Sequence, residues 1–156
     1  MGSIFATHSD FVIESSTVSA GEVSYGECKS FLKSNNFHSD VPANQSCIYY
    51  EYKDTQLKIN HVNAGFNCCP EGISVEINKS NESIEITELE EYGLCDCLCL
   101  FDIEYSISYV EPAEYTFIFI EPYSNELNEL KFTINLAEQS KGNFCVTRES
   151  YPWGIY

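Results

Sequence analysis

The sequence predicts an all-β fold: an antiparallel β-sandwich, immunoglobulin-like or related, with about nine short strands and little helix. Two observations support this prediction. Apolar and polar residues alternate with a period of two over most of the chain, whereas helical periodicity is scarce. Short turn segments separate the alternating stretches. The chain of 156 residues has the length of one domain with a single core.

This single domain, residues 1–156, is predicted to have two unequal parts. Residues 1–44 form an irregular N-terminal part, with a short strand at 11–13 and one or two helical turns within 28–37. Residues 45–156 form the β-sandwich core, without an internal repeat or a second-domain linker. The predicted core strands are 48–52, 57–64, 73–77, 84–87, 95–110, 115–120, 130–136 and 143–148.

Four of these strands carry more detailed expectations. Strands 73–77 and 84–87 flank a polar segment, which predicts a hairpin with a longer loop. In strand 95–110 the odd positions are apolar or cysteine, so this face is expected to point to the core. Strand 115–120 is apolar on both faces, which indicates a central position in a sheet.

The charge of the chain excludes two classes of function. Asp and Glu number 24 against 8 Lys and Arg, giving a net charge of −16. This charge repels nucleic-acid phosphates and anionic lipid, so neither is expected as a partner. No apolar run reaches the 18 residues that a membrane span needs, so insertion is not expected, although a lipid anchor on a removed leader is compatible with the sequence.

Cysteine content predicts the compartment. Eight cysteines in 156 residues are many for a reducing environment. Met1, Gly2 and Ser3 lack the basic and apolar regions of a signal peptide, and we interpret them as replacing a removed signal or lipoprotein leader. The predicted location is therefore extracellular or in the bacterial cell envelope.

A cluster of cysteines with one histidine predicts a metal site. Zinc takes four ligands from cysteine sulfur and histidine nitrogen. Cys69, Cys97 and Cys99 are expected to bind it with His61 or Cys95, in a structural role, while Cys68 is a spare ligand or a disulfide partner. Copper(I) also suits thiolates, so the metal stays open. The candidate ligands are His61, Cys68, Cys69, Cys95, Cys97 and Cys99.

A disulfide framework is the competing interpretation. The Cα atoms of cysteines at positions i and i+2 of one strand are about 6.5–7 Å apart, which is too far for a good disulfide. Cysteines on neighbouring strands lie closer and can form one. Eight cysteines allow 105 full pairings, so the sequence does not determine the connectivity. Cys28 with Cys47 is the pairing expected to staple the N-terminal part.

The sequence does not favour an enzyme. It contains no P-loop, GxGxxG, HExxH or GxSxG motif. Acidic residues such as Glu88, Glu90 and Glu91 are expected on a solvated edge or loop. Four aromatic residues could form a strip that binds sugar rings or protein, although packing within the sheets is the favoured role of their rings. They are Tyr49, Tyr123, Tyr151 and Trp153.

The functional prediction is accordingly an extracytoplasmic β-sandwich domain with a structural zinc site. Two alternatives stay open. The first is a disulfide-stapled module that binds protein or carbohydrate without metal. The second is a metal-handling or thiol-redox protein, which would need an exposed cysteine cluster.

Three segments carry a family resemblance: 61–70 (HVNAGFNCCP), 95–102 (CDCLCLFD), and the ending with 145–148 (CVTR) and 151–154 (YPWG). They resemble an uncharacterised family of small bacterial secreted or lipoprotein domains. The resemblance covers residues 55–156. It implies an envelope location and brings no activity.

Overall fold

The structure is a computed structural model that describes residues 17–29, 41–124 and 129–148. These residues form ten strands and no helix, so none of them belongs to a helix that could cross a membrane. The all-β prediction is confirmed. The strands are β1 (Ser19–Ala20), β2 (Ser24–Tyr25), β3 (Gln45–Lys53), β4 (Gln56–Asn67), β5 (Pro70–Lys79), β6 (Ser83–Gly93), β7 (Leu98–Ser108), β8 (Glu114–Ile120), β9 (Lys131–Asn135) and β10 (Lys141–Thr147).

Two sheets make up the fold. The first has the order β1-β7-β4-β3-β10, with β2 also paired to β7, and the second has the order β5-β6-β8-β9. β5 and β6 form the predicted hairpin, and β8 lies between β6 and β9, as its apolar faces predict. The predicted strand 11–13 and residues 30–37 of the predicted helical segment lie outside the described residues.

One strand pair departs from the predicted antiparallel pattern. β6 and β8 are parallel, whereas every other recorded strand pair is antiparallel. The chain leaves the second sheet after β6, contributes β7 to the first sheet and returns as β8. β7 is thus the long connection that a parallel pair requires.

Apolar side chains from both sheets fill the interior. In the first sheet, the inward row Ile48, His61 and Ile103 consists of direct register partners. The second sheet supplies Ile84 and Ile86 from β6, and phenylalanine rings from both sheets stack on one another. Phe132 stacks on Phe117, Phe119 and Phe144, with ring centroids 4.8–5.9 Å apart. These distances lie in the range of favourable aromatic pairs.

A β-bulge changes which side chains of β4 face the core. The register of β4 with β7 shifts between His61 and Ala64, and Asn63 has a φ of 62°. His61 faces inward at an odd position, whereas Ala64 and Phe66 are fully buried at even positions. The bulge therefore reverses the alternation before the chain reaches the cysteines.

Hydrogen bonds hold the Asn63 side chain on both sides. Its amide donates to the carbonyls of Pro42 and Gln45, at 3.0 and 2.9 Å. Its Oδ1 accepts from the Lys29 Nζ at 2.7 Å, and this ammonium also lies 2.5 Å from the Asp102 carboxylate. The bulge therefore ties the segment before β3 and the segment after β2 to the first sheet.

Candidate functional sites

All eight cysteines form disulfides. The pairs are Cys28–Cys99, Cys47–Cys145, Cys68–Cys97 and Cys69–Cys95. This connectivity corresponds to the disulfide framework described above as the alternative to metal. The expected Cys28–Cys47 pair is wrong, because the antiparallel register of β3 and β10 places Cys47 directly opposite Cys145, with Cα atoms 4.1 Å apart.

Two neighbouring disulfides close one end of the sandwich, where β4 leads into β5. Cys68 pairs with Cys97, and Cys69 with Cys95. The Asn67 side chain shapes this end: its Oδ1 accepts from the backbone N–H of Cys69 at 2.9 Å and of Cys95 at 3.3 Å, and its amide donates to the Cys95 carbonyl at 2.6 Å.

The structure brings together only part of the predicted metal set. The sulfur atoms of Cys68, Cys69 and Cys95 lie within 4.8 Å of one another. Cys95 and Cys97 precede β7, so the three cysteines of the CxCxC motif do not share one regular strand face. Cys99 pairs with Cys28 instead. Continued alternation from Leu57, Ile59 and His61 would turn Cys69 inward and Cys68 outward. Instead Cys69 is exposed and Cys68 half-buried, because the bulge changes the alternation of β4.

His61 lies apart from the cysteines, in the interior. It is seven residues before Cys68 on an extended strand, a distance of roughly 20 Å. Its Nδ1 is 2.7 Å from Glu88 Oε1, and its Nε2 is 2.7 Å from Ser46 Oγ. His61 and Ser46 are 0% exposed and Glu88 is 1% exposed. Glu88 therefore does not lie on the expected solvated edge.

Three more polar side chains complete this buried cluster. Glu121 Oε1 is 3.7 Å from His61 Nε2, and the Arg148 guanidinium donates to the other Glu121 oxygen. The Tyr105 hydroxyl donates to Glu88 at 3.5 Å. β6 and β8 are parallel, and Thr87 is the register partner of Ile120. Glu88 and Glu121 are the next residues of the two segments, so they lie side by side.

The environment raises the pKa values of His61, Glu121 and Tyr105. Burial by itself would lower the pKa of His61, but the charge and hydrogen bond of Glu88 and the charge of Glu121 outweigh it, so the pKa lies above its ordinary value. Burial raises the pKa of Glu121, and the charges of His61 and Arg148 offset this only in part. Burial also raises the pKa of Tyr105.

Both ring nitrogens of His61 have a hydrogen-bond partner, Glu88 at Nδ1 and Ser46 at Nε2. The Ser46 hydroxyl has one proton, and its oxygen lies 2.7 Å from His61 Nε2 and 3.2 Å from the Asn63 carbonyl. When Ser46 donates to this carbonyl, it accepts the bond from Nε2 while Nδ1 donates to the Glu88 carboxylate, which is the arrangement of a protonated imidazole and agrees with its raised pKa. The arrangement resembles a Ser-His-Glu triad, but the serine is fully buried.

The same cluster contains a metal donor set. His61, Glu88 and Glu121 each offer one atom within 4.8 Å of the others, and imidazole with carboxylates suits zinc or manganese. In the structure, however, the two carboxylates already face two basic side chains, His61 and Arg148. This balance accounts for two acidic side chains in the core without an ion.

The acidic and aromatic side chains singled out in the sequence have different surroundings. Glu90 is half-buried and accepts hydrogen bonds from the Asn67 backbone N–H and the Tyr123 hydroxyl. The hydrogen bond from Tyr123 to Glu90, together with burial and the Glu90 charge, raises the pKa of Tyr123 to about 12. Glu91 is exposed as expected. Tyr151 and Trp153 lie outside the described residues.

A groove of about 560 Å³ lies on the outer face of the first sheet. It crosses β10, β3, β4 and β7, and Tyr49 lies in it with 37% of its surface exposed. The remaining lining is mostly polar or charged, with amide, carboxylate and ammonium groups: Glu51, Lys58, Asn60, Glu104, Lys141 and Asn143. The volume falls within the range of small-molecule sites.

Comparisons with known proteins return no relative. No family model matches the chain, no curated protein matches it, and no solved structure matches it.

Sequence reasoning identified His61 and Tyr49 but missed the groups that pair with His61. A signal for two of them was present. Glu88 follows Ile84 and Ile86 at intervals of two, and Glu121 follows Phe117 and Phe119 in the same way. Period-two alternation thus placed both carboxylates on inward faces.

Proposed function

We propose that the protein is an extracytoplasmic binding module, secreted or held in the bacterial cell envelope, whose ligand site is the groove on the first sheet. The groove is the observation that carries this proposal. It combines an accessible aromatic ring, Tyr49, with polar groups on four adjacent strands. Such a combination of one ring and several convergent polar groups is typical of ligand sites.

The disulfides support the location. Four disulfides indicate an oxidising environment, as found outside the cytoplasm. The Cys47–Cys145 pair also supports the binding role, because it joins β3 to β10 two residues beyond the groove partners Tyr49 and Asn143. This cross-link fixes two of the four strands that form the groove, and a rigid site binds at a smaller entropic cost.

Chemical-shift mapping tests this proposal. We expect soluble glycans or short peptides, screened separately against the ¹⁵N-labelled protein, to shift the amide signals of Tyr49, Asn60 and Asn143. The amide signals of Glu76 and Asn78, on the edge strand β5 of the other sheet, should stay unchanged. Ligand-induced shifts confined to β5 and β6, or no shifts with either ligand class, would contradict the groove as the binding site.

A zinc site formed on reduction is a second candidate. The close approach of the Cys68, Cys69 and Cys95 sulfurs favours it. With both disulfides of this end reduced, Cys97 would supply the fourth thiolate that tetrahedral zinc needs. Two-electron reduction of each disulfide by a dithiol would yield four thiols, and zinc binding would release their protons.

Intact mass with thiol counting separates the two chemistries. Zinc coordination predicts four or more free thiols, with a zinc-sized mass difference between native and denaturing conditions. The disulfide framework predicts no free thiol and no mass difference. Four disulfides in protein isolated from its own compartment would overturn the zinc candidate.

A further inference from the structure

The groove is built from two rows of register partners. The first row runs Asn143, Tyr49, Asn60 and Glu104 across β10, β3, β4 and β7. Strands are about 4.8 Å apart, so this row spans about 14 Å. The second row, two residues further along each strand, runs Lys141, Glu51, Lys58 and Ser106. Each of the four strands thus contributes two side chains, polar or aromatic, to the same outer face of the sheet.

Asn60, near the middle of the first row, has an unsatisfied hydrogen-bond acceptor. Its Oδ1 is buried and has no hydrogen-bond partner. An unpaired buried acceptor destabilises the folded state. A ligand that donates a hydrogen bond to this oxygen therefore removes that cost. The terminal torsion of an asparagine is soft, so a small rotation turns the amide toward the groove.

The charges of the groove are balanced, unlike those of the chain. Lys58 and Lys141 face Glu51 and Glu104, and Lys58 forms an ion pair with Glu104 at 2.8 Å. The net charge of the lining is therefore zero in a protein of net charge −16. An anionic ligand would be repelled by the whole molecule, and a cationic ligand would meet no excess of carboxylates.

We propose that the groove binds a neutral oligosaccharide, with Tyr49 as the platform for a sugar ring and Asn60 as a hydrogen-bond partner of a hydroxyl group. This inference rests on the proposed function of the groove as a ligand site. Sugar hydroxyls both donate and accept, which matches a lining of amides, carboxylates and ammonium groups. The C–H face of a sugar ring packs on the apolar face of tyrosine.

Affinity gel electrophoresis tests the proposal. Soluble glucans, mannans, xylans and galactans are cast into native gels, with pectate and alginate as acidic counterparts. The net charge of −16 gives the protein high mobility, so retardation is readily measured. We expect at least one neutral polymer to retard the protein. Tyr49→Ala and Asn60→Ala should each weaken that binding at least tenfold, whereas Tyr49→Phe keeps the ring and should retain it.

Tyr92→Ala is the matched control. Tyr92 is 74% exposed, on the other sheet, and does not line the groove. Equal unfolding midpoints of the variants show that any lost binding is not due to lost fold. Unchanged mobility in every neutral polymer, retardation that survives Tyr49→Ala, or retardation by acidic polymers alone would overturn the proposal. If peptides then shift the groove signals, the binding module stands and the carbohydrate assignment fails.

Discussion

Glu88 and His61 meet across the interior of the sandwich, with Glu88 Oε1 2.7 Å from His61 Nδ1 and both side chains excluded from solvent. Glu88 belongs to β6 of the second sheet and His61 to β4 of the first. The contact is therefore a buried pair between the two sheets, and it is ionic when His61 is protonated. Removing one member of such a pair leaves a desolvated charge, which costs far more than breaking an exposed pair.

Glu88→Gln should lower the free energy of unfolding by about 3 kcal/mol, because it leaves the His61 imidazolium without its carboxylate. Glu85→Gln is the matched control, since Glu85 lies on the opposite face of the same strand and is half-buried. We expect the control to change stability by about 0.5 kcal/mol or less. Urea unfolding of both variants measures the difference, and equal losses would contradict the buried ionic bond.

The stability of the protein should fall as the pH rises above 6.5. The pKa of His61 is raised from 6.5 in the folded state, so its contribution is complete below 6.5 and is lost as the pH rises through the folded value. The raised pKa of Glu121 acts in the same direction, because ionising this buried carboxyl disfavours the folded state. A tenfold difference in proton affinity between the folded and unfolded states corresponds to about 1.4 kcal/mol of stability.

Urea unfolding between pH 6 and 9 checks this dependence. His61→Asn should flatten the slope in this range. A His8→Asn/His38→Asn variant removes the other two of the three histidines and should keep the slope. A wild-type stability that rises with pH over this range would show that the core imidazole is neutral.

Asn63 should tolerate glycine better than alanine. Its φ of 62° lies in the left-handed region, where alanine costs about 1–2 kcal/mol more than glycine. Both variants lose the same side-chain hydrogen bonds, so the backbone accounts for the difference. At Asn60, in the regular part of β4, the order should reverse, because glycine weakens a strand interior by about 0.5–1 kcal/mol relative to alanine. Urea unfolding of the four variants measures both differences, and the same order at both positions would argue against the bulge.

The disulfides should differ in their contributions to stability. In the chain-entropy model, Cys47–Cys145 closes a separation of 98 residues and contributes about 4.7 kcal/mol. Cys69–Cys95, with a separation of 26, would contribute about 3.5 kcal/mol alone and contributes less beside Cys68–Cys97, which closes nearly the same loop. The double variant Cys47→Ala/Cys145→Ala should therefore unfold at lower urea concentration than Cys69→Ala/Cys95→Ala. Coinciding transitions would show that loop length does not determine the effect.

Period-two alternation was sufficient to predict the core strands. Leu57, Ile59 and His61 face inward, as do Ile103, Tyr105 and Ile107, because the side-chain period of a strand is fixed by its backbone. The prediction became unreliable at Asn63, whose left-handed conformation adds a residue to one strand only. A local alternation pattern cannot show that addition, since it depends on contacts with Lys29 and Asp102.

The candidate sites were less predictable because they depend on pairing between distant segments. The charge of Glu88 predicts a surface position, although its place in the alternation of the strand points inward. Its burial depends on His61, 27 residues earlier. The cysteine pairs required the register of β3 with β10, which brings Cys47 to Cys145. The two rows of the groove likewise exist only once four strands are in register.

The distance along the chain between Cys47 and Cys145 sets an order on the maturation of the protein. Because loop closure costs more entropy as the loop lengthens, the sulfurs separated by 26 and 29 residues meet first. Cys145 is synthesised 98 residues after Cys47, and β10 must dock on β3 before this covalent bond is oriented. The groove includes both strands, so a nascent chain can form this surface only after β10 (Lys141–Thr147) has been synthesised.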